Sequence, residues 1–247
     1  MKDIAVIPAR KGSKGFPKKN RLFFPLTADF IHRSKLFDRT VVTTDDDKLL
    51  DMAETNGFEG YKRPDHISRD TSSIREVFMD LVAQQKFHPH DRLWLFYIPI
   101  VFKDIQDFGQ AKKIMETKRP PSVSTFIPAK SHPFNCWIRM QNDKVSKAMD
   151  NDFFNRQDYP EAFENHHYVF CIQVNAVEHG NNNLLNDQTY PIFLSSEKAS
   201  RLVEIDEPED LLRWKQKDEE AFKLWCQSVR NDPDLPEFVR PLIPNDD

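Results

Sequence analysis

The chain has 247 residues, 39% of them hydrophobic, and a formal net charge of −4. That length suffices for one large α/β domain with a well-buried core. The charge argues against nucleic acid as a partner, and no apolar run approaches the roughly twenty residues that cross a bilayer. Three widely spaced cysteines, Cys136, Cys171 and Cys226, form no C-x-x-C pair and suggest neither a disulfide framework nor a zinc site. The start MKDIAVIPAR leads from a short apolar run straight into charged sequence, unlike a signal peptide, so a cytoplasmic location is expected.

Ile4, Ala5, Val6 and Ile7 form a short continuous apolar run, which predicts a buried parallel strand ending at Pro8. A basic loop follows. Arg10, Lys11, Lys14, Lys18 and Lys19 fall within ten residues that hold two glycines and no carboxylate, at a strand end where α/β sheets place ligands. Lysines supply mobile point charges, Arg10 a fork of donors, and Gly12 and Gly15 a backbone able to approach phosphate closely, so a polyanion is the expected ligand. The spacing fits neither the P-loop nor Gly-x-Gly-x-x-Gly.

Ile7-Pro-Ala-Arg-Lys-Gly-Ser-Lys-Gly-Phe-Pro-Lys-Lys-Asn20 resembles, over fourteen consecutive positions, the signature of the acylneuraminate cytidylyltransferases, the CMP-sialic acid synthetases and their relatives acting on other nonulosonic acids. The resemblance implies nucleotide binding by Ala9, Arg10, Gly12, Ser13, Lys14, Lys19 and Asn20, with Arg10 and Lys19 acting on the reacting phosphates.

Farther along, Phe24, Ala28, Ile31 and Lys35 follow a rough helical spacing, and Pro25-Leu26 are what remains of a turn that relatives carry here. Thr40 to Thr43 reads as a second strand, with Asp45 and Asp46 capping the helix that follows. Arg63-Pro and Asp70-Thr-Ser-Ser73 resemble a family loop, which implies Arg63 and Ser73 near the nucleotide. Asp70, Ser72 and Ser73 can also cap a helix over Ile74 to Gln85 whose buried face is Val77, Leu81 and Phe78.

Leu93 to Tyr97 reads as a central strand. Relatives end it in Leu-Gln-Pro-Thr-Ser-Pro-Leu-Arg, whose glutamine helps read cytosine; here Tyr97-Ile-Pro-Ile-Val-Phe-Lys103 stands in its place, the largest departure in the chain. A tyrosine offers one hydroxyl and a stacking face instead of an amide. A helix over Asp104 to Thr117, with Ile105, Phe108, Ala111, Ile114 and Met115 inward, precedes a strand over Ser122 to Pro128.

Lys130-Ser-His-Pro resembles a family segment in which His132 would contact a sugar acid, a structural histidine being the other reading. Gln141-Asn-Asp-Lys144 predicts a hairpin turn, and Tyr168 to Val174 a strand. Asn155-Arg-Gln-Asp-Tyr-Pro-Glu-Ala-Phe-Glu-Asn165 resembles a motif on an arm that reaches a partner subunit, implying Arg156 and Gln157 as acceptor-binding residues. His166 replaces the glycine that usually follows the asparagine.

Glu204-Ile-Asp206 stands where relatives have two aspartates that hold Mg²⁺; on a strand both carboxylates would share a face. Glu207, Glu209 and Asp210 read as helix-capping acids, and Leu211 to Val229 as an amphipathic helix or a broken pair. Beyond Asn231 the tail is Pro-rich and acidic and is expected to be loose.

Alternating strands and helices from residue 1 to about 127 predict an α/β fold with a mainly parallel sheet. The resemblance adds a three-layer, Rossmann-like nucleotidyltransferase fold over 1–230 with a small β-rich dimerisation arm about 128–170, and a tail over 231–247. It implies an Mg²⁺-dependent enzyme that transfers CMP from CTP to a sugar acid, releases pyrophosphate and acts as a homodimer. Another acceptor (an octulosonate or a phosphonate), another nucleotide, or a catalytically impaired nucleotide-sugar-binding homologue are the alternatives.

Overall fold

A computed structural model describes residues 1–243. Its central sheet contains β1 (Asp3–Ala9), β2 (Arg39–Thr44), β3 (Glu59–Lys62), β4 (Arg92–Leu95), β5 (Ser122–Pro128), β8 (Phe163–Gln173) and β9 (Thr189–Phe193) in the order β3-β2-β1-β4-β8-β5-β9. β8 alone runs antiparallel to its neighbours, so the sheet is mainly parallel as expected. The helices are α1 (Lys19–Ser34), α2 (Asp47–Thr55), α3 (Ile74–Gln84), α4 (Ile105–Thr117), α5 (Ser196–Arg201), α6 (Pro208–Lys217) and α7 (Glu219–Val229). None of the described helices is long and apolar enough to cross a membrane.

Three layers follow from alternation along β1. Ala5, Ile7 and Ala9 face a core built with Phe23 and Phe30 of α1, Phe108 of α4, Trp214 of α6 and Trp225 of α7. Ile4 and Val6 face a second core with Phe78 and Leu81 of α3 and the short helical turns over Val174–His179. A strand covered on both faces needs apolar residues at every position, which is why β1 reads as an unbroken run.

Pro8 does not end the strand. It pairs in register with Thr43 of β2, while pairing with β4 stops at Val6, so its missing N–H falls where no neighbouring strand needs it. Nor do Pro25-Leu26 form a turn: Pro25 lies inside α1. It cannot donate to the carbonyl one helical turn back; one residue on, the Trp225 indole N–H donates to the Leu22 carbonyl at 3.0 Å, tying α7 to the interrupted turn. The stacked Phe23 and Trp225 rings, 4.7 Å apart, complete the joint.

The edge strand β3 lies within what reads as a loop in sequence, since Glu59-Gly-Tyr-Lys62 is too short and polar to signal itself. Ile105 is 39% exposed, not inward, because the α4 turn begins at its Asp104 cap and buries Phe108, Ala111 and Met115. β8 starts earlier than predicted and Val174 falls just outside it. The carboxy-terminal helix is the broken pair, α6 and α7, joined at Asp218, which caps α7 through the Ala221 N–H.

Between β5 and β8 the arm carries a separate two-stranded hairpin, β6 (Trp137–Arg139) and β7 (Val145–Lys147). Gln141 to Asp143 form the loop closed by the Met140 N–H to Lys144 carbonyl bond, and Asn142 and Asp143 take positive φ, 68° and 58°, so the predicted turn is present without a glycine. The tail is not loose as far as it is described. Leu235 and Val239 are buried, and Phe238 packs edge-on against Phe16 of the basic loop at 5.2 Å. Residues 244–247 lie outside the described residues.

At the other end of β1, Asp3 is buried and gathers Arg92, Lys112 and the Trp94 indole N–H, the last at 2.8 Å. One carboxylate thus fastens β1, β4 and α4. Asp3→Ala would leave Arg92 buried with only half-exposed Glu116 at 3.5 Å. The expected cost is about 3 kcal/mol, read as a lower urea midpoint with an unchanged denaturant slope.

Candidate functional site

The sheet order reverses between β1 and β4: the chain passes from β1 outward to β2 and β3, then returns to place β4 on the other side. Such a switch point leaves a crevice at the carboxyl ends of the two strands. A cleft of about 230 Å³ lies there, its walls including Pro8, Arg10, Lys19 and Asn20 from the β1 end, Tyr97 and Pro99 from the β4 end, and Glu204.

The basic loop is held from several directions. Phe16 is fully buried and meets Phe23 edge-on at 5.7 Å, which pins the loop to α1. Asn20 donates to the Arg10 carbonyl at 2.9 Å, and the Lys11 N–H donates to Asp45 at 2.7 Å. A Cβ on Gly15 would come within 2.5 Å of the Asp206 carbonyl, so glycine is required there for the loop to lie against the acidic segment. Gly12 instead faces open space, and Ser13 beside it is half-buried. Asp46 caps α2 and pairs through both oxygens with Arg21; Asp45, expected as a second cap, braces the loop instead.

Each cation of the loop that reaches toward ligand space has an acidic partner drawn from a distant element. Asp70 pairs with both Arg10 and Lys14, the latter at 2.7 Å. Lys19 pairs with Asp206, and Lys18 with Asp234 at 2.8 Å. A cluster of positive charge is costly to hold together without counter-charge, and the fold supplies it: nearly enclosed Asp234 at the base, and half-exposed Asp70 and Asp206, which a bound polyanion can replace.

Glu204 and Asp206 alternate with buried Val203 and Ile205, so both acids share the outward face. The segment is tied to the turn after β4: the Ile205 N–H donates to Pro99 at 3.0 Å and the Val101 N–H to Val203 at 3.3 Å. Glu204 is exposed by area but sits in the cleft wall, where burial of its carboxyl and then the like charge of Asp206 raise its pKa. Asp210 caps the start of α6, accepting from the Asp206 and Glu207 N–H groups at 2.8 and 2.9 Å, which fixes the backbone beneath Asp206. Among the described residues no three metal-ligating side chains converge. Two carboxylates beside a basic loop nonetheless suit Mg²⁺, which binds through one or two carboxylates and completes its shell with phosphate oxygens and water.

On the opposite wall Arg63 is buried, donating to the Thr43 carbonyl at 2.7 Å while its Nε has no partner among the described residues. Burial lowers its pKa, with Asp45 opposing. The neighbouring serine differs from expectation: Ser73 spends its hydroxyl in a capping box with Glu76 at the start of α3, and Ser72 faces the cleft. The signal that could have separated them is the Ser-x-x-Glu spacing of Ser73 and Glu76, which Ser72 lacks. Tyr97 lines the cleft; burial, and then Glu204, raise its pKa, so it presents a neutral hydroxyl. Behind it His167 sits edge-on at 5.7 Å, swung there by a bulge in β8 opposite Ser124 and Thr125.

The arm residues lie apart from this cleft. Arg156 and Gln157 fall in an exposed helical turn, Arg156–Asp158, and neither lines the cleft. His132 is structural: its Nδ1 accepts from the Phe134 N–H at 3.2 Å and its Nε2 donates to the Pro160 carbonyl at 2.9 Å, leaving no nitrogen for a sugar acid. Asp70 and Asp234, which hold the loop, carry no sequence signal beyond their charge.

Residues 4–88 match the family model described as Cytidylyltransferase. The chain is 24% identical to post-translational flagellin modification protein B of Campylobacter coli, over 81% of this chain and 93% of that one. It is 32% identical to the N-acylneuraminate cytidylyltransferase of Escherichia coli O18:K1:H7 over 47% of this chain, but covers only 29% of that protein. Among solved structures, CMP:2-keto-3-deoxy-manno-octonic acid synthetase complexed with CTP superposes with a TM-score of 0.60 at 12% identity, covering 89% of this chain and all of that one. These likenesses bear out the resemblance to the cytidylyltransferases and the nucleotidyltransferase fold.

Asp234 gives a test of how the loop is held. Hydrogen bonds from Lys18 and then Lys48, with Arg21 adding, depress its pKa well below the ordinary 3.8. A depressed carboxylate contributes stability that is fully present above its unfolded pKa and is lost as pH falls below it. Asp234→Asn should therefore lower stability by about 1–2 kcal/mol at pH 7, its partners being partly exposed. The gap to wild type should shrink below about pH 4, measured by urea unfolding at pH 7 and pH 3.

Proposed function

We propose that this chain, a cytidylyltransferase by likeness, transfers CMP from CTP to the anomeric hydroxyl of a nonulosonic acid and releases pyrophosphate. The observation that carries the reading is the meeting of the basic loop and the Glu204–Asp206 segment in one cleft, joined by the Lys19–Asp206 ion pair.

The triphosphate takes Arg10 and Lys14 from Asp70 and Lys19 from Asp206, an exchange of one set of anionic oxygens for another. Arg10 grips two oxygens at once; Lys14, highly exposed, follows the phosphates as a mobile charge. Ala9, Gly12, Ser13 and Asn20 shape the backbone around them. Lys19 and Arg10 offset the charge that builds on the α-phosphate and the departing pyrophosphate. Glu204 and Asp206 would hold Mg²⁺, which supplies Lewis-acid polarisation of the phosphate oxygens. Tyr97 offers a stacking face and a neutral hydroxyl to the base in place of an amide, and Arg63 closes that wall.

The acceptor's carboxylate is assigned to Arg156, with Gln157 beside it. Their distance from the cleft of their own chain accords with an arm that serves a second copy. Trp137, Ile138, Met140, Val145, Phe153 and Phe154 are exposed on that arm, Phe154 at 98%, an apolar surface suited to pairing of two identical chains. A homodimer, with a single catalytic domain over 1–230 and a cytoplasmic location where CTP is made, completes the reading.

The test is pyrophosphate release with each nucleoside triphosphate, Mg²⁺ and a panel of nonulosonic and octulosonic acids. CTP with a nonulosonic acid should give turnover, and none with any pair would overturn the proposal. Lys19→Ala should lower kcat by about a thousandfold while the circular dichroism spectrum stays that of the folded chain; undiminished turnover would remove Lys19 from its role.

A further inference from the structure

The largely apolar pocket on the α1, α6 and α7 side of the molecule, about 440 Å³, belongs to no part of the site above. Leu26, Phe30, Val101, Phe102, Trp214 and Leu224 supply its walls, and Lys103 reaches it from the turn after β4. Lys103 has no carboxylate partner among the described residues; its amine donates only to the Ile100 carbonyl, three residues back. The residue keeps some exposed surface, but its amine is enclosed, and burial lowers its pKa to about 7. The other charged groups on the pocket are engaged: Asp29 pairs with Arg33 at 2.7 Å and Asp218 caps α7.

An enclosed amine without a counter-ion, at the edge of an apolar chamber, is an incomplete ion pair. A ligand that brings an anionic oxygen and an apolar body completes it. One negative charge fits better than two, since Asp29 and Asp218 stand on the same walls and would repel a dianion. We propose that this pocket binds an amphipathic carboxylate, an apolar body bearing one acid group, with Lys103 as the anchoring cation.

The same turn lines both sites. Tyr97 and Pro99 face the nucleotide cleft, Val101 to Lys103 face the pocket, and the Pro99 carbonyl and Val101 N–H are bonded to the strand that presents Glu204 and Asp206. An acid that draws the Lys103 amine off Ile100 acts on the segment that shapes the cleft, so occupancy of one site should alter affinity at the other, reciprocally. The anchoring claim stands apart from the cytidylyltransferase reading; the coupling concerns the same cleft.

Calorimetric titration of the full chain with octanoate and with octanol tests the site. Octanoate should bind about tenfold more tightly than octanol, the worth of a charge-assisted contact, and Lys103→Met should abolish that preference while keeping octanol binding. Leu224→Asp, on the exposed rim and harmless to the core, should weaken octanoate selectively. Equal binding of acid and alcohol by the wild type, or a preference that survives in both variants, would overturn the assignment. Saturating octanoate should also shift the affinity for inorganic triphosphate at the cleft by about fivefold or more; an unchanged affinity would refute the coupling. A cleft that ignores triphosphate altogether would count against the nucleotidyltransferase reading and leave the octanoate result standing.

Discussion

The folded arrangement of the cleft between β1 and β4 depends on charge compensation across the chain. A loop with five cations in ten residues repels itself, and it keeps one shape here because four acids come to it from elsewhere: Asp45 after β2, Asp70 before α3, Asp206 before α6, and Asp234 in the tail. These acids differ in burial, which separates their consequences. Asp234 is nearly enclosed and binds three cations at the base of the loop, so it serves the fold. Asp70 and Asp206 are about half exposed, and they sit on the cations nearest the cleft. Exposed pairs are individually weak, so a triphosphate can displace these two without undoing the support beneath them.

The fold was legible in the sequence wherever burial imposes a period. β1, β5, α3 and α4 lie close to their predicted limits because their apolar residues repeat with the spacing of a strand or a helix. It was least legible where a residue's role depends on a partner distant in the chain. Pro8 and Pro25 read as breaks, yet each occupies a position where the lost N–H is tolerated by what lies beside it. The tail reads as loose from its prolines and acids; its order comes from Lys18, Arg21 and Lys48 and from Phe16, none of them near it in sequence.

The candidate site divides the same way. Arg10, Lys19, Asn20, Arg63, Tyr97 and Glu204 line one cleft: the first three share a short motif, and the sheet's switch point brings the others to it from distant segments. His132 and Ser73 do not, since a histidine or serine at the start of a helical turn has backbone donors within reach and is consumed by them. The choice between Ser72 and Ser73 is encoded by spacing: Ser73 has Glu76 three residues on and completes a capping box, while Ser72 has Arg75 there and is left to face the cleft.

The turn from Tyr97 to Lys103 departs most from its relatives, and its placement explains what the departure does. A turn that reads a base with an amide, as the resemblance implies for this position, requires polar residues facing the cleft. Here the first residues, Tyr97 and Pro99, still face the cleft, while Val101, Phe102 and Lys103 turn away into an apolar chamber against α1 and α7. Exchanging a polar turn for an apolar one costs hydrogen bonds on the cleft side, and the structure recovers order by burying Ile98 and Ile100 and by pairing the turn's backbone with residues 203–205. That backbone pairing needs no particular side chain, so the segment carrying Glu204 and Asp206 stays in register while the side chains above it are free to change. Lys103 is the exception: its amine donates to the Ile100 carbonyl, yet setting it among apolar walls costs desolvation that a methionine would not. Its presence follows from ligand chemistry more directly than from the requirements of the fold.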